Sequence, residues 1–531
     1  MKKTFLLSCL MLAAMPVMAA YTGHVYVDKN KNGVFDQSEK PLAGIKVSDG
    51  LNVVETAADG SFTLPGHERE RFIFITTPSG YKTFNRHYHK IEKKQSGYDF
   101  GLIPFSGRIR KNGSHRYIHI ADTEIFNTEN HADWVNNVRD YARNEQAAFI
   151  IHTGDICYEK GLKAHIKLMN TENMDCPVFY CIGNHDLVKG KYGEELFESI
   201  YGPVYYSFDA GNVHYVVTPM PGGDHAPGYT SDDVCRWLKN DLAHIRPGTP
   251  VVVFNHDLLT YEDTFIFKSK NAGSINLNEY NLKAWVYGHW HINYMKKQGD
   301  VYSVCTSSLD KGGIDHSTTA FRVMHVDSKG DFTSELRYTY LDKNICIASP
   351  AGVMASGVLP VAVNVYSSVS PVREVLYTCL ADGKPVLKNK RLLQSTDWSW
   401  NGELPLSHKY VGKELTLRVT ARFNNGEIAE AESHFICRTE KAVPLFSADW
   451  DNLSGNAKHS APVSAPLNLP LQLAWTNNVG ANLYMTSPLI HKGKVIVASV
   501  DEDLKGAGHV YALNGKDGTI LWSCPVRNSI K

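Results

Sequence analysis

An excess of charge of either sign is missing from this 531-residue chain, in which 55 Lys and Arg face 55 Asp and Glu. No global field therefore draws it to nucleic acid or to an anionic membrane. No basic, aromatic-rich groove is evident, which disfavours a nucleic acid polymer as substrate. Past residue 20, no apolar run approaches the ~20 residues that a membrane-spanning helix needs. Cysteine is sparse: of ten, all but Cys9 follow residue 20, with no CxxC pair and no dense framework, so no disulfide is assigned. Cys181, Cys305, Cys379 and Cys437 sit in apolar runs and read as small core hydrophobes.

The first twenty residues are not expected to be part of the fold. Lys2 and Lys3 precede an apolar stretch, and Val17-Met18-Ala19 places small residues ahead of a cut. The protein is accordingly expected to be exported, to a periplasmic or extracellular location. Residues 21–106 read as a small β-sandwich-like domain of short β-branched and aromatic runs separated by Asp-Gly and Pro-Ser-Gly turns. Within it, Asp28, Asn30, Asn32, Val34, Asp36 and Glu39 occupy positions 1, 3, 5, 7, 9 and 12 of a calcium-type loop, with Gly33 at position 6. The flanks are not helical. The loop resembles those of bacterial surface β-sandwich repeats, which implies a structural calcium ion.

From about 107 to 330 the pattern becomes α/β, with apolar strands alternating with helical stripes such as Trp134, Val138 and Tyr141. Ser231 reads as a helix cap followed by Asp232 and Asp233. Residues 331–445 lack helical periodicity and read as a second β-sandwich, followed by a Ser/Ala/Pro-rich linker over 446–470. Residues 471–531, with Trp475 and Trp522 one blade apart, resemble a single quinoprotein-type β-propeller repeat. A propeller buries its faces by stacking several blades, so this one is either truncated or docks on a partner not named by the sequence.

The central domain delivers a metal-capable side chain at the carboxyl end of five strands. Asp122 follows Tyr117–Ala121, Asp155 follows Phe149–Ile151, and Asn184 follows Val178–Ile182. His256 follows Val251–Phe254, and the pair His289 and His291 follows Ala284–Tyr287. That edge of an α/β sheet is where ligands bind. His289 and His291, two apart, are expected to face one side of an extended chain. The turn Gly183-Asn184-His185-Asp186 adds an imidazole and a carboxylate in a row.

Asp122-Thr123-Glu124, Gly154-Asp155, Gly183-Asn184-His185-Asp186, Asn255-His256 and Gly288-His289-Trp290-His291 resemble the ordered motifs of the calcineurin-like metallophosphoesterases. The likeness covers about 108–326, and the flanking β domains resemble those of an exported bacterial subgroup. It implies a four-layer α/β/β/α sandwich around two divalent ions (Mn, Fe or Zn) and a small phosphoester substrate, either monoester or diester. It further implies that Asp155 bridges the ions, with Asp122 and His291 on one and Asn184, His256 and His289 on the other. A water shared by the ions then attacks phosphorus as hydroxide. His185 is expected to stabilise the transition state or protonate the leaving oxygen, and Asp186 to orient His185. Glu124 departs from the family, which most often has histidine there. As a ligand it would make the first site harder, favouring Mn or Fe(II) over Zn. The competing reading is a surface binding or scaffold protein with a degenerate, inactive phosphoesterase domain, against which the retained histidines argue. The rim loops Pro221–His225 and Asp310–Gly313 are expected to shape substrate choice.

Overall fold

The structure, a computed structural model, describes residues 20–93, 95, 97–439, 449–460, 471–481, 483, 486–499 and 508–526. The expected leader and much of the 446–470 linker lie outside the described residues. Helices are few and sheets dominate.

The central domain begins with β1 (His115–Ile120), α1 (Ala132–Asn144), β2 (Phe149–His152), α2 (Tyr158–Leu168), β3 (Val178–Tyr180) and α3 (Glu195–Tyr201). It continues through β4 (Tyr206–Ala210), β5 (Val213–Val217), α4 (Ser231–Ala243), β6 (Val251–Phe254), β7 (Leu282–Tyr287), β8 (Tyr294–Gln298), β9 (Val301–Cys305), β10 (Ala320–Val326) and β11 (Phe332–Tyr338). One sheet has the order β3-β2-β1-β10-β11 and the other β4-β5-β6-β7-β9-β8. The central pairs of both sheets are parallel. Every residue of β2 and β6 is buried, which is why these strands are apolar runs and not alternating ones.

The two sheets meet through aromatic rings. Phe179 stacks on Phe208 at 3.8 Å, and Tyr117 meets Phe254 edge-on at 5.8 Å. Each fully buried side chain of this size contributes ~1.5–3 kcal/mol by leaving water. On the other face of the first sheet, Trp134, Val138 and Tyr141 of α1 and Leu162 of α2 pack with Ile118, Ile120 and Ile150. Trp237, Leu238 and Leu242 of α4 join the core of the second sheet. The cap of α4 is Thr230, one residue before the expected Ser231. Its hydroxyl accepts the Asp233 N–H while the Asp233 carboxylate accepts the Thr230 N–H, a reciprocal box that Ser231, with Val234 three residues on, cannot form.

The N-terminal region forms two small sheets with a core of its own. Its strand Phe72–Ile75 is buried on both faces. Ile73 and Ile75 face that core, whereas Phe72 and Phe74, with Tyr88, enter the core of the central domain. Arg71 bridges Glu194 and Glu198 across the same junction at 2.7 and 2.8 Å.

The boundary expected at 330 falls inside a hairpin, because β11 pairs with β10 over seven residues. The central sheet therefore extends to Tyr338. The next region forms two sheets around Val363, Trp400, Leu417 and Phe435. Four antiparallel strands, Leu489–His491, Lys494–Ala498, His509–Asn514 and Ile520–Pro525, end the described chain in simple succession. Trp475 donates from Nε1 to the Gly515 carbonyl at 3.0 Å.

Candidate metal centre

The candidate ligands sit on loops that leave the two sheets on the same side. His256 is fully buried, and its Nε2 lies 3.2 Å from Asp155 Oδ2 and 3.9 Å from Asp122 Oδ1. His289 joins Asp155 and His256 in a cluster whose ligand atoms all lie within 4.8 Å of one another. His291 Nε2 is 3.7 Å from Asp122 Oδ1 and 3.6 Å from Glu124 Oε1. The His185 N–H donates to Asp155 Oδ1 at 3.0 Å, which places the Asn184-His185 turn against the same carboxylate. Gly183 is required here, since a Cβ would overlap the Asp155 backbone nitrogen and carboxylate.

Five of these residues have a left-handed backbone. Asp122, Glu124, Asp155, His289 and His291 have φ of 50°, 42°, 55°, 65° and 51°. Such angles cost energy in non-glycine residues and cluster at functional sites. They also correct the expectation that His289 and His291 share one side of an extended chain. The two lie on a turn, where the His289 N–H donates to both Asp122 oxygens at 3.1 Å.

The donor set fits cations. The His256 Nδ1 contacts the Thr153 carbonyl at 2.7 Å, so Nδ1 carries a proton and Nε2 is the nitrogen turned to Asp155 and Asp122. Asn184 Oδ1 is buried without a hydrogen-bond partner. An orphaned buried acceptor is costly unless something positive meets it. Burial raises the Asp122 carboxyl to about 8, with His256 opposing and Asp155 adding to the rise. Burial disfavours a charged His256, yet Asp155 and Asp122 outweigh it and raise this imidazole to about 9. The electrostatics thus demand positive charge between these groups.

Asp186 does not orient His185. Its buried carboxylate accepts the N–H groups of Asp155, Cys157 and Gly183 at 3.0, 2.9 and 2.9 Å. It ties the two loops that carry Asp155 and Asn184 to each other. The partner of His185 is Asp224, at 2.8 Å from Nδ1. Burial works against the charged imidazole, but Asp224 and Asp155 raise its pKa. Asp224 comes from the expected rim loop, and its N–H donates to the Asn184 carbonyl at 3.1 Å. Only a small residue fits before it, because a Cβ on Gly223 would overlap Asn184.

Glu124 stays in the site instead of turning to solvent. Its Oε2 receives Lys311 Nζ at 2.9 Å, while Oε1 faces His291. Lys311 belongs to the second expected rim loop, but its pairing with Glu124 has no local sequence signal. A lysine this close competes with a metal for the carboxylate. Lys311→Met is therefore expected to raise affinity for a divalent ion on the order of tenfold, the worth of about 1.4 kcal/mol of relieved repulsion. Metal titration by calorimetry checks this, and unchanged affinity would place Glu124 outside the metal's reach.

Comparison with known proteins decides the family of this region. Residues 115–293 match the family described as calcineurin-like phosphoesterase, and residues 29–104 match the N-terminal domain associated with it. The chain carries a calcineurin-like phosphoesterase domain. A 215-residue segment is 26% identical to purple acid phosphatase 13 of Arabidopsis thaliana, covering 38% of this chain and 36% of that protein. The chain thus spans about a third of that relative's length. Among solved structures, a novel archaeal phosphodiesterase aligns with 13% identity and a TM-score of 0.22, over 42% of this chain and 99% of that one. Vacuolar protein sorting 29 from Cryptosporidium parvum aligns with 10% identity and a TM-score of 0.23, over 55% and 99%. The phosphoesterase family implies divalent metal ions and small phosphoester substrates. Among the described residues, no helix is long and apolar enough to cross a membrane.

Proposed function

We propose that this protein is an exported, dinuclear metal-dependent phosphoesterase acting on small phosphomonoesters or phosphodiesters. The observation that carries this reading is a buried acceptor without a hydrogen-bond partner, Asn184 Oδ1, beside the buried His256 Nε2 that faces the Asp155 and Asp122 carboxylates at 3.2 and 3.9 Å. Asp155 would hold both ions, with Asp122, Glu124 and His291 on one and Asn184, His256 and His289 on the other. When bound, the ions supply Lewis acidity and an activated water. With Nδ1 engaged by Asp224, His185 has Nε2 left to hydrogen-bond the phosphoryl group or protonate the leaving oxygen. Asp224, against Nδ1, favours the charged imidazole. Asp186 keeps the loops in register without touching substrate.

We read the layered helices and sheets as the four-layer sandwich expected of this family, and the flanking β regions as accessory domains. The decisive experiment is metal analysis of the native protein followed by a panel of monoesters, diesters, nucleotides and phospholipid head groups. Two ions per chain with turnover supports the enzyme. A metal-loaded protein inert on the whole panel favours the scaffold reading instead.

The Asp28–Glu39 loop is proposed to bind calcium. Asp28 and Glu39 are buried, and the loop already turns as a ligand cage requires, with the Gly33 N–H on Asp28 Oδ2 at 2.9 Å and Gly33 at φ 71°. Chelation is expected to lower the unfolding temperature of the N-terminal domain without abolishing hydrolysis, since an ion selective for the native state stabilises it by mass action. An unchanged melting curve in excess chelator would leave the loop as a plain Asx-rich turn.

A further inference from the structure

We propose that Phe126 and Tyr158 form a stacking shelf for the leaving group, so that the substrate's leaving alcohol carries a flat aromatic ring. This rests on the phosphoesterase reading above. Phe126 is 56% exposed and Tyr158 39% exposed, and their planes lie 18° from parallel with centroids 6.4 Å apart. The Tyr158 hydroxyl is 3.4 Å from His185 Nδ1, so the shelf adjoins the group assigned to protonate the leaving oxygen.

Packing does not account for these rings. Ile125 points into the core at 1% exposure while its neighbour Phe126 points out. The loop is clamped on α2, where a Cβ on Gly161 would overlap the Ile125 carbonyl. Phe126 is therefore held facing water by a rigid support. Tyr158 is placed at a conformational cost. Cys157 and Tyr158 have φ of 81° and 53°, angles that a bulky residue rarely adopts. Asp186 fixes the Cys157 N–H, and the Tyr158 N–H donates to the His185 carbonyl at 3.0 Å. The same contacts that order the centre thus aim the tyrosine beside His185. A ring stacked on such a surface gains ~1–3 kcal/mol whatever its substituents, because every aromatic ring has a π-face.

Two ligand pairs isolate the ring from the phosphoryl group. Phenylphosphonate is compared with methylphosphonate, and adenosine 5′-monophosphate with ribose 5-phosphate, by calorimetry on the metal-loaded full chain. The ringed member of at least one pair is expected to bind roughly tenfold or more tightly. That preference should collapse in Phe126→Ala and fall in Phe126→Leu, which keeps apolar bulk without a ring. A response in the adenosine pair alone identifies a nucleoside, and in the phenyl pair alone a simple aryl group. Either supports the shelf. Equal affinities within both pairs, or a ring preference intact in both variants, overturn it. The phosphoester panel tests the underlying reading separately: turnover with no ring preference sinks the shelf alone, whereas no turnover and no phosphonate binding sinks both.

Discussion

Asp155→Ala is expected to lose both metal ions and all phosphoester hydrolysis. Asp155 is the side chain proposed to hold both ions. One oxygen of Asp155 lies 3.2 Å from His256 Nε2, and the other receives the His185 N–H. Its removal also leaves His256 buried without the carboxylate that balances it and relieves the repulsion on Asp122, so the electrostatics of the site change along with the ligand count. Burial of the Asp155 carboxyl is outweighed by His256 and the hydrogen bonds it accepts, which keep its pKa below the usual value. The carboxylate is thus available as a ligand across the neutral range. Metal content by elemental analysis is the direct measurement. Two ions retained in this variant would remove Asp155 from the bridging position. Asp155→Asn provides the check on folding, because it preserves shape while discarding charge, and it should still bind metal poorly.

His185→Ala should separate chemistry from metal binding. Both ions are expected to stay, while kcat falls by about 10²–10⁴, the usual contribution of a positioned acid–base group. The loss should be greatest for esters of poorly acidic alcohols, whose leaving oxygen needs the proton, and smallest for nitrophenyl esters. The backbone of residue 185 keeps its N–H on Asp155 in the alanine variant, so the metal-site geometry has no reason to collapse. Loss of metal would instead make the imidazole a ligand. A uniform fall across leaving groups would leave His185 as a phosphoryl-binding group and not an acid.

The strands and the order of the candidate ligands that follow them were legible in the sequence because burial on both faces imposes uninterrupted apolar runs. Val251–Phe254 can be read as a strand from composition alone, and His256 then follows at its carboxyl end. Position along a strand is a one-dimensional property, so the sequence carries it. What the sequence concealed was set by loops closing in three dimensions. Asp224 and Lys311 were within the expected rim loops, but no periodicity links either to His185 or to Glu124. The role of Asp186 was misplaced because neighbours in sequence suggest side-chain contact, whereas its carboxylate turns inward to three backbone amides. Reading His289 and His291 as an extended pair failed for a related reason. The backbone there bends into the left-handed region to bring one histidine to Asp155 and the other to Asp122, and the histidine type alone gives no sign of that bend.

Phe72, Phe74 and Tyr88 belong by sequence to the N-terminal region and by packing to the interior of the central domain. An interior assembled from two chain segments has a consequence for modularity. Cutting the chain near residue 106 would strip three rings from a packed interior and present the exposed sheet to other molecules, so the excised central domain should be poorly soluble. The two regions should also melt together, and a homologue's N-terminal region could be exchanged for this one only if its own aromatic residues filled the same space. In this protein the unit of inheritance is then the pair, and a single-transition melting curve of the 21–338 fragment is the signature that such shared ownership of a core leaves.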